Sequence, residues 1–266
     1  MGFFESIIDG INSFDVSVVK AVNAFAGHAP IFDVFVLHVL RLDSVRHFPL
    51  VGALIWAWYS DPGDGSRRRP VFDGVVGYML SILVTRVTQD LLPHRPRPAL
   101  AGTFHFEMPV GGFTTDWSSF PSDTAAQGFA LVAALWAISR NLGLAAFAWA
   151  VVAICFPRLY GGFHYPSDLI AGAFAGLLAT WIVSRRPLGL NSVARCADRM
   201  EAEYKPWFYV FGFLLLFQIM AHFEDARRLL TTGSRIVKIL AGSNPYQPSP
   251  APGAAGSPSH LNAEEN

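Results

Sequence analysis

Stretch after stretch of this chain is apolar on every side. Residues 71–92, 118–138, 142–156, 169–183 and 207–223 each hold few charges. Wound as helices, they would bury every face rather than one stripe. Backbone inside a bilayer must satisfy its own hydrogen bonds, so such runs cross as helices. The expected fold is therefore all-α, a polytopic membrane bundle. Apolar residues make up 52% of the 266 and charged residues 15%, as this fold requires. A first crossing is expected at 48–59. It is short for a span, so it borrows 42–47, where Arg41 and Arg46 are expected to snorkel to the surface. That makes six spans.

The remaining segments surround this core. Residues 3–26 place Phe4, Ile7, Ile8, Ile11, Phe14, Val18, Val22 and Phe25 at helical spacing, with Glu5, Asp9, Asp15, Lys20 and Asn23 largely between them. This is an amphipathic helix suited to the membrane surface. The organisation reads as interfacial helices over 1–44, a six-span core over 45–223, an amphipathic helix over 224–241 and a disordered Pro/Ser/Gly/Ala-rich tail over 242–266. Glu5 and Asp9 near the start, with no basic residues before them, give no sign of a secretory signal. The formal net charge is zero, so no nucleic-acid partner is expected. Cys155 in an apolar run and Cys196 in an expected polar loop imply neither a disulfide nor a metal set.

Alternation of the spans puts Arg67, Arg68, Arg69, Arg140, Arg185, Arg186, Arg195 and Arg199 on one side, expected to be cytoplasmic. Arg227, Arg228 and Arg235 count against this at the C-terminal end. Three other turns then share the outer face. FPRLYGGFHYPSD at 156–168 carries Arg158, His164 and Asp168 in an expected exposed turn. If Pro166 opens a helix, His164 and Asp168 lie one turn apart. The carboxylate can then hold one imidazole nitrogen and leave the other free to attack. HRPRP at 94–98 projects Arg95 and Arg97 from a stiff backbone. PSDT at 121–124 starts a helix, with Pro121 near its first position; Ser122 and the free N–H groups around Asp123 make an anion seat. Taken singly, RPRP also serves as an interfacial anchor and PSDT as a plain helix cap. Arg86 and Asp90, four apart, are placed to pair with each other. Together the three turns fit phosphoryl transfer, where positioning and charge neutralisation do most of the catalysis.

In these turns the chain resembles the type 2 phosphatidic acid phosphatase superfamily of membrane lipid phosphatases. The family motifs KxxxxxxRP, PSGH and SRxxxxxHxxxD read here as DLLPHRPRP, PSDT and PRLYGGFHYPSD. The resemblance implies that His164 is a nucleophile forming a phosphohistidine and that Asp168 orients it. It implies that Arg97 and Arg158 hold the phosphate with Ser122 and the backbone beside it, and it implies no metal. The wording SFPSD and HYPSD is similar to that of bacterial undecaprenyl diphosphate phosphatases. This implies a polyprenyl diphosphate substrate on the outer face of a bacterial inner membrane.

Two departures from the pattern matter, and Pro157 is a lesser one. Asp90 stands where the family has lysine, with Arg86 or Arg95 as the replacement cation. Thr124 stands where the family has the histidine that protonates the leaving group, with His94 or His105 as the replacement acid. Pro157 replaces a serine. The alternatives to hydrolysis are transfer of phosphate to another lipid and a non-catalytic descendant that binds a lipid phosphate.

Overall fold

The computed structural model describes residues 3–36, 42–102, 118–185 and 190–220. All of them belong to one unit, Met1–His222. The expected helix at 224–241, the tail, the last residues of the sixth span and Arg41 lie outside the described residues.

Every regular element among the described residues is helical. In chain order these are α1 (Phe3–Asn23), α2 (Pro30–Val34), α3 (Asp43–Tyr59), α4 (Arg68–Leu91), α5 (Asp123–Ile138), α6 (Arg140–Trp149), α7 (Phe156–Tyr160), α8 (Pro166–Ser184), α9 (Leu190–Glu203) and α10 (Lys205–Met220). A π-helical stretch, Ala150–Cys155, joins α6 to α7 without a break. Among the described residues, three helices are long and apolar enough to cross a membrane: Arg68–Leu91, Arg140–Tyr160 and Pro166–Ser184. Asp123–Ile138 and Lys205–Ile219 are apolar but shorter.

The centre is a three-helix contact of α4, α5 and α8. Two glycines of α8 set how close it lies to α5. A Cβ on Gly172 would strike the Ser122 carbonyl, and one on Gly176 the Ala126 carbonyl. Spaced four apart, they give α8 a flat stripe on which a neighbouring backbone can rest. The Tyr78 hydroxyl donates to Gln127 Oε1 at 2.8 Å, tying α4 to α5.

Several details differ from the sequence reading. The stretch from 156 is not one exposed turn. Phe156–Tyr160 continues the preceding helix, and only Gly161 to Tyr165 turn back, with Gly162 at φ 68. Pro121 lies before α5 rather than in it, since Ser122 is the N-cap. Cys196 sits in α9, exposed. Arg46 does not snorkel: it is 1% exposed, because α3 turns that face toward the bundle, where the Trp149 indole donates to its carbonyl at 2.8 Å. Arg86 pairs not with Asp90 but with Asp123, at 2.9 Å, since Asp90 faces outward and is exposed.

Helix α1 differs most. Its apolar stripe, with Ile7, Ile8, Ile11 and Phe14, is exposed. Of the polar residues between, Asp15 and Asn23 are buried, with Val19 and, beyond the helix, Ala26, while Glu5, Asp9 and Lys20 are exposed.

Candidate active site

The site forms where the C-terminal end of α4, the N-termini of α5 and α8, and α7 meet. Arg158 lies in the last turn of the helical run, on α7, and the chain then reverses through two glycines. The Phe163 and His164 amides both donate to the Arg158 carbonyl, at 2.9 and 3.3 Å. Pro166 then opens α8. Asp168 accepts from the Tyr165 amide at 2.8 Å, capping the helix it belongs to.

His164 is 3% exposed. Its Nδ1 donates to the Ser119 carbonyl at 2.8 Å, while Asp168 Oδ2 is 3.9 Å from the same atom. A carbonyl only accepts, so Nδ1 carries the proton and Nε2 keeps its lone pair. The imidazole is thus oriented by a main-chain group from the segment before α5, with the Asp168 carboxylate near it but outside hydrogen-bond range.

Around the histidine stand charges of both signs. Burial, then the Arg158 and Arg97 guanidinium groups, lower the His164 pKa to about 3, against the opposing pull of Asp123. Arg97 is itself pushed down, by burial first and also by Arg86. Its guanidinium lies over the Phe163 ring at 5.7 Å, and that of Arg158 over the same ring at 5.1 Å. One ring thus meets both guanidinium groups. Arg158 Nη2 donates to the Thr124 hydroxyl at 3.2 Å.

Helix α5 brings Ser122, Asp123 and Thr124. Ser122 is fully buried, accepts from the Ala125 amide at 3.3 Å as an N-cap, and donates its own amide to the Asp168 carbonyl at 3.0 Å. Asp123 accepts from Arg86, and from the Thr124 amide and hydroxyl at 2.7 and 3.2 Å. Arg86 also reaches Gln89, which donates to the Pro121 carbonyl at 2.8 Å.

Arg95 is directed differently from Arg97. Its Nη1 donates to Asp168 Oδ1 at 2.5 Å and its Nη2 to Asp15 Oδ2 at 2.7 Å. Burial works against its charge, but those two carboxylates hold its pKa above the usual guanidinium value. The structure therefore gathers His164, Asp168, Arg97, Arg158, Ser122, Asp123 and Thr124 at one end of the bundle, with Arg95 behind Asp168. Asp90 and His94 are exposed. His105, Glu107 and Asp116 lie outside the described residues. Among the described residues, no group of three His, Cys, Asp or Glu side chains is placed to hold a metal ion.

Asp15, Asp33, Ser119 and Ser167 were missed by motif reading. The Tyr160 hydroxyl donates to Asp33, and Ser167 donates its amide and hydroxyl to Asp15. A signal for Asp15 existed: Asp15, Val19, Val22 and Ala26 repeat at i, i+4, i+7 and i+11, a second stripe beside the more apolar one.

Residues 71–190 match the model of the PAP2 superfamily, the family that the three motifs resemble. The fold is similar to the crystal structure of Aquifex aeolicus LpxE, with a TM-score of 0.50 and 24% identity over 65% of this chain and 96% of that one. None of the curated proteins compared with the chain matches it.

Proposed function

Taking the PAP2 superfamily match of residues 71–190 as the premise, we propose that this chain hydrolyses a lipid diphosphate, with His164 as the nucleophile. The family and the fold support a membrane lipid phosphatase. The observation that carries the finer reading is the buried imidazole, fixed through Nδ1 to Ser119 and flanked by Arg97 and Arg158. Its Nε2 lone pair forms the N–P bond as the P–O bond to the leaving lipid phosphate breaks. Arg97 and Arg158 neutralise the oxygens of the transferred group. Charge accumulates on the ring as it is phosphorylated, and the Asp168 carboxylate, 3.9 Å away, stabilises it. Water then cleaves the N–P bond and releases inorganic phosphate.

The guanidinium groups nearest the imidazole suit an anionic phosphate. Arg86 and Asp123 offset each other, and Arg95 is shared between Asp15 and Asp168. Arg97 and Arg158 are the two guanidinium groups whose charge bears on His164. The lipid proposed is a polyprenyl diphosphate, on the wording of the motifs. The arginines at the opposite ends of the spans support a site on the outer face of a bacterial inner membrane.

One observation favours a second reading. Thr124, where the family has its acid–base histidine, donates to Asp123 and accepts from Arg158. Its hydroxyl cannot serve as an acid near neutral pH, so water attacking phosphohistidine lacks the usual base. An ionised lipid phosphate needs no base, which makes transfer the alternative outcome. The test is His164→Ala in the purified protein, with labelled diphosphate used to trap a base-stable, acid-labile phosphoprotein. Loss of both turnover and label is expected. A variant that still releases phosphate at the natural rate refutes the assignment.

A further inference from the structure

Helix α1 lies outside the segment that matches the family, yet it is built into the back of the candidate site. Three layers of contact join them. The apolar layer packs Val16 and Val19 with Leu159 and Tyr165, and Val22 and Ala26 with Phe156, Tyr160 and Phe163. The second layer is a buried charge chain. Asp15, 0% exposed, accepts from the Ser167 amide at 3.0 Å, the Ser167 hydroxyl at 2.5 Å and Arg95 Nη2 at 2.7 Å. Arg95 Nη1 reaches the Ser167 hydroxyl at 2.8 Å and Asp168 Oδ1 at 2.5 Å. Asp168 is the carboxylate nearest the His164 ring. The third layer is Asp33, on α2. It accepts from the Gly27 amide at 3.1 Å and from the Tyr160 hydroxyl. The N-terminal segment thus grips both ends of the turn that carries His164.

We propose that Asp15 is a positioning residue for the histidine centre and that α1 is a working part of that centre. The inference rests on the proposed phosphatase reading. Asp15 supplies the second carboxylate that a fully extended Arg95 fork needs, and it fixes the second residue of α8. Without it, Arg95 has one carboxylate partner and is drawn onto Asp168, whose charge is then less available to the phosphorylated ring. The Ser167 amide also loses its acceptor at the helix end that aims Asp168. None of these groups is Arg97 or Arg158, which bind the phosphate in this reading. The defect therefore belongs to the chemical step and not to substrate capture. This separates a positioning role from a merely structural one, which would lower the active fraction or shift both constants.

The experiment compares the purified full chain with Asp15→Asn, Asp15→Glu and Ser167→Ala, on a long-chain polyprenyl diphosphate in mixed micelles. Asp15→Asn should lower kcat about 10²-fold, the size expected for a sub-ångström to ångström misplacement, with KM within about twofold. Asp15→Glu should recover about tenfold of that loss. Ser167→Ala should lower kcat by about 3- to 10-fold. In the double variant the losses should not multiply, because both act through one link. A folded Asp15→Asn with kcat within about twofold of the parent, or with its loss confined to KM, overturns the proposal. If Asp15→Asn does not fold, Ser167→Ala decides, and an unchanged kcat there overturns it.

If the parent protein cleaves no lipid phosphate, the proposed function fails by itself, and binding then tests Asp15. Orthovanadate bonds to an aligned imidazole, whereas orthophosphate needs only the arginines. Asp15→Asn should lose the thermal stabilisation by orthovanadate and keep that by orthophosphate. Any other pattern overturns the proposal.

Discussion

Removing the imidazole at 164 should change how the protein tolerates acid. Burial and the two arginines lower the His164 pKa from 6.5 to about 3. Below pH 6.5 the unfolded chain binds a proton there, and the native state does not until about pH 3. The unfolded state thus binds more protons, so stability rises with pH across this window. The contribution is fully present above pH 6.5 and is lost as pH falls toward the folded value. Each unit is worth about 1.4 kcal/mol per proton. Between about pH 6.5 and pH 4.5 the native protein should lose about 3 kcal/mol through this one group. His164→Gln removes the titration while keeping an amide N–H able to reach the Ser119 carbonyl. Melting of both proteins in one detergent at the two pH values isolates the difference, since every other group is common. The parent should lose about 6–12 °C more than the variant, at about 2–4 °C per kcal/mol for a chain of this size. Saturating orthophosphate should shrink the gap, because a bound anion offsets the two arginine charges and lets the ring take up its proton. Equal acid losses in the two proteins would refute the view that a buried neutral histidine lies between two cations.

Two further outcomes follow from particular contacts. Gly176→Ala should destabilise by about 1–3 kcal/mol in thermal melts, because the added carbon meets the Ala126 carbonyl on α5. Gly52→Ala, with open space at its Cβ, should be neutral or slightly stabilising. On substrates, the natural protein should turn over a lipid diphosphate about 10²-fold or more faster than the matching monophosphate. Thr124→His should narrow that ratio, since a lost general acid is worth ~10²- to 10⁴-fold only where the leaving group needs a proton. Equal kcat/KM on both substrates in the natural protein would sink this account of Thr124.

The long apolar runs made the helices legible because burial on all sides leaves a compositional trace that needs no tertiary information. The same holds for motif spacing: HxxxD at a helix start can be read from the sequence because i, i+4 geometry is local. The contacts that decide what the side chains do were not legible. His164 bonds to a main-chain carbonyl 45 residues earlier, and every residue has a carbonyl, so its identity leaves no mark. The Arg86 partner could not be read either. Asp90 is the obvious local choice, but α4 turns it outward and places Arg86 against the start of α5. Helix α1 misled for a different reason. In a membrane protein the more apolar stripe can face lipid and the less apolar one the protein, the reverse of the rule for soluble domains.

The departures from the family pattern make sense only when taken together. A lysine lost at 90 would leave the phosphate seat short of one charge, and Asp123, where the motif PSGH has glycine, would add one of the wrong sign. Arg86 lies one turn before Asp90 and bonds Asp123, so this cation answers that anion and the pair contributes no net charge. Asp123 in turn accepts from the Thr124 amide and hydroxyl. The threonine is thereby held between Asp123 and Arg158, with its proton directed at a carboxylate and its oxygen at a guanidinium. A histidine there would sit beside Arg158 and against Asp123 and would compete for both. The three changes form one rearrangement. It exchanges a mobile proton for a fixed bridge between α5 and the arginine of the third motif. On the proposed reading, such a site would receive a phosphoryl group on His164 without the means to protonate what leaves. On that reading, substrates whose leaving group is already an anion would be favoured.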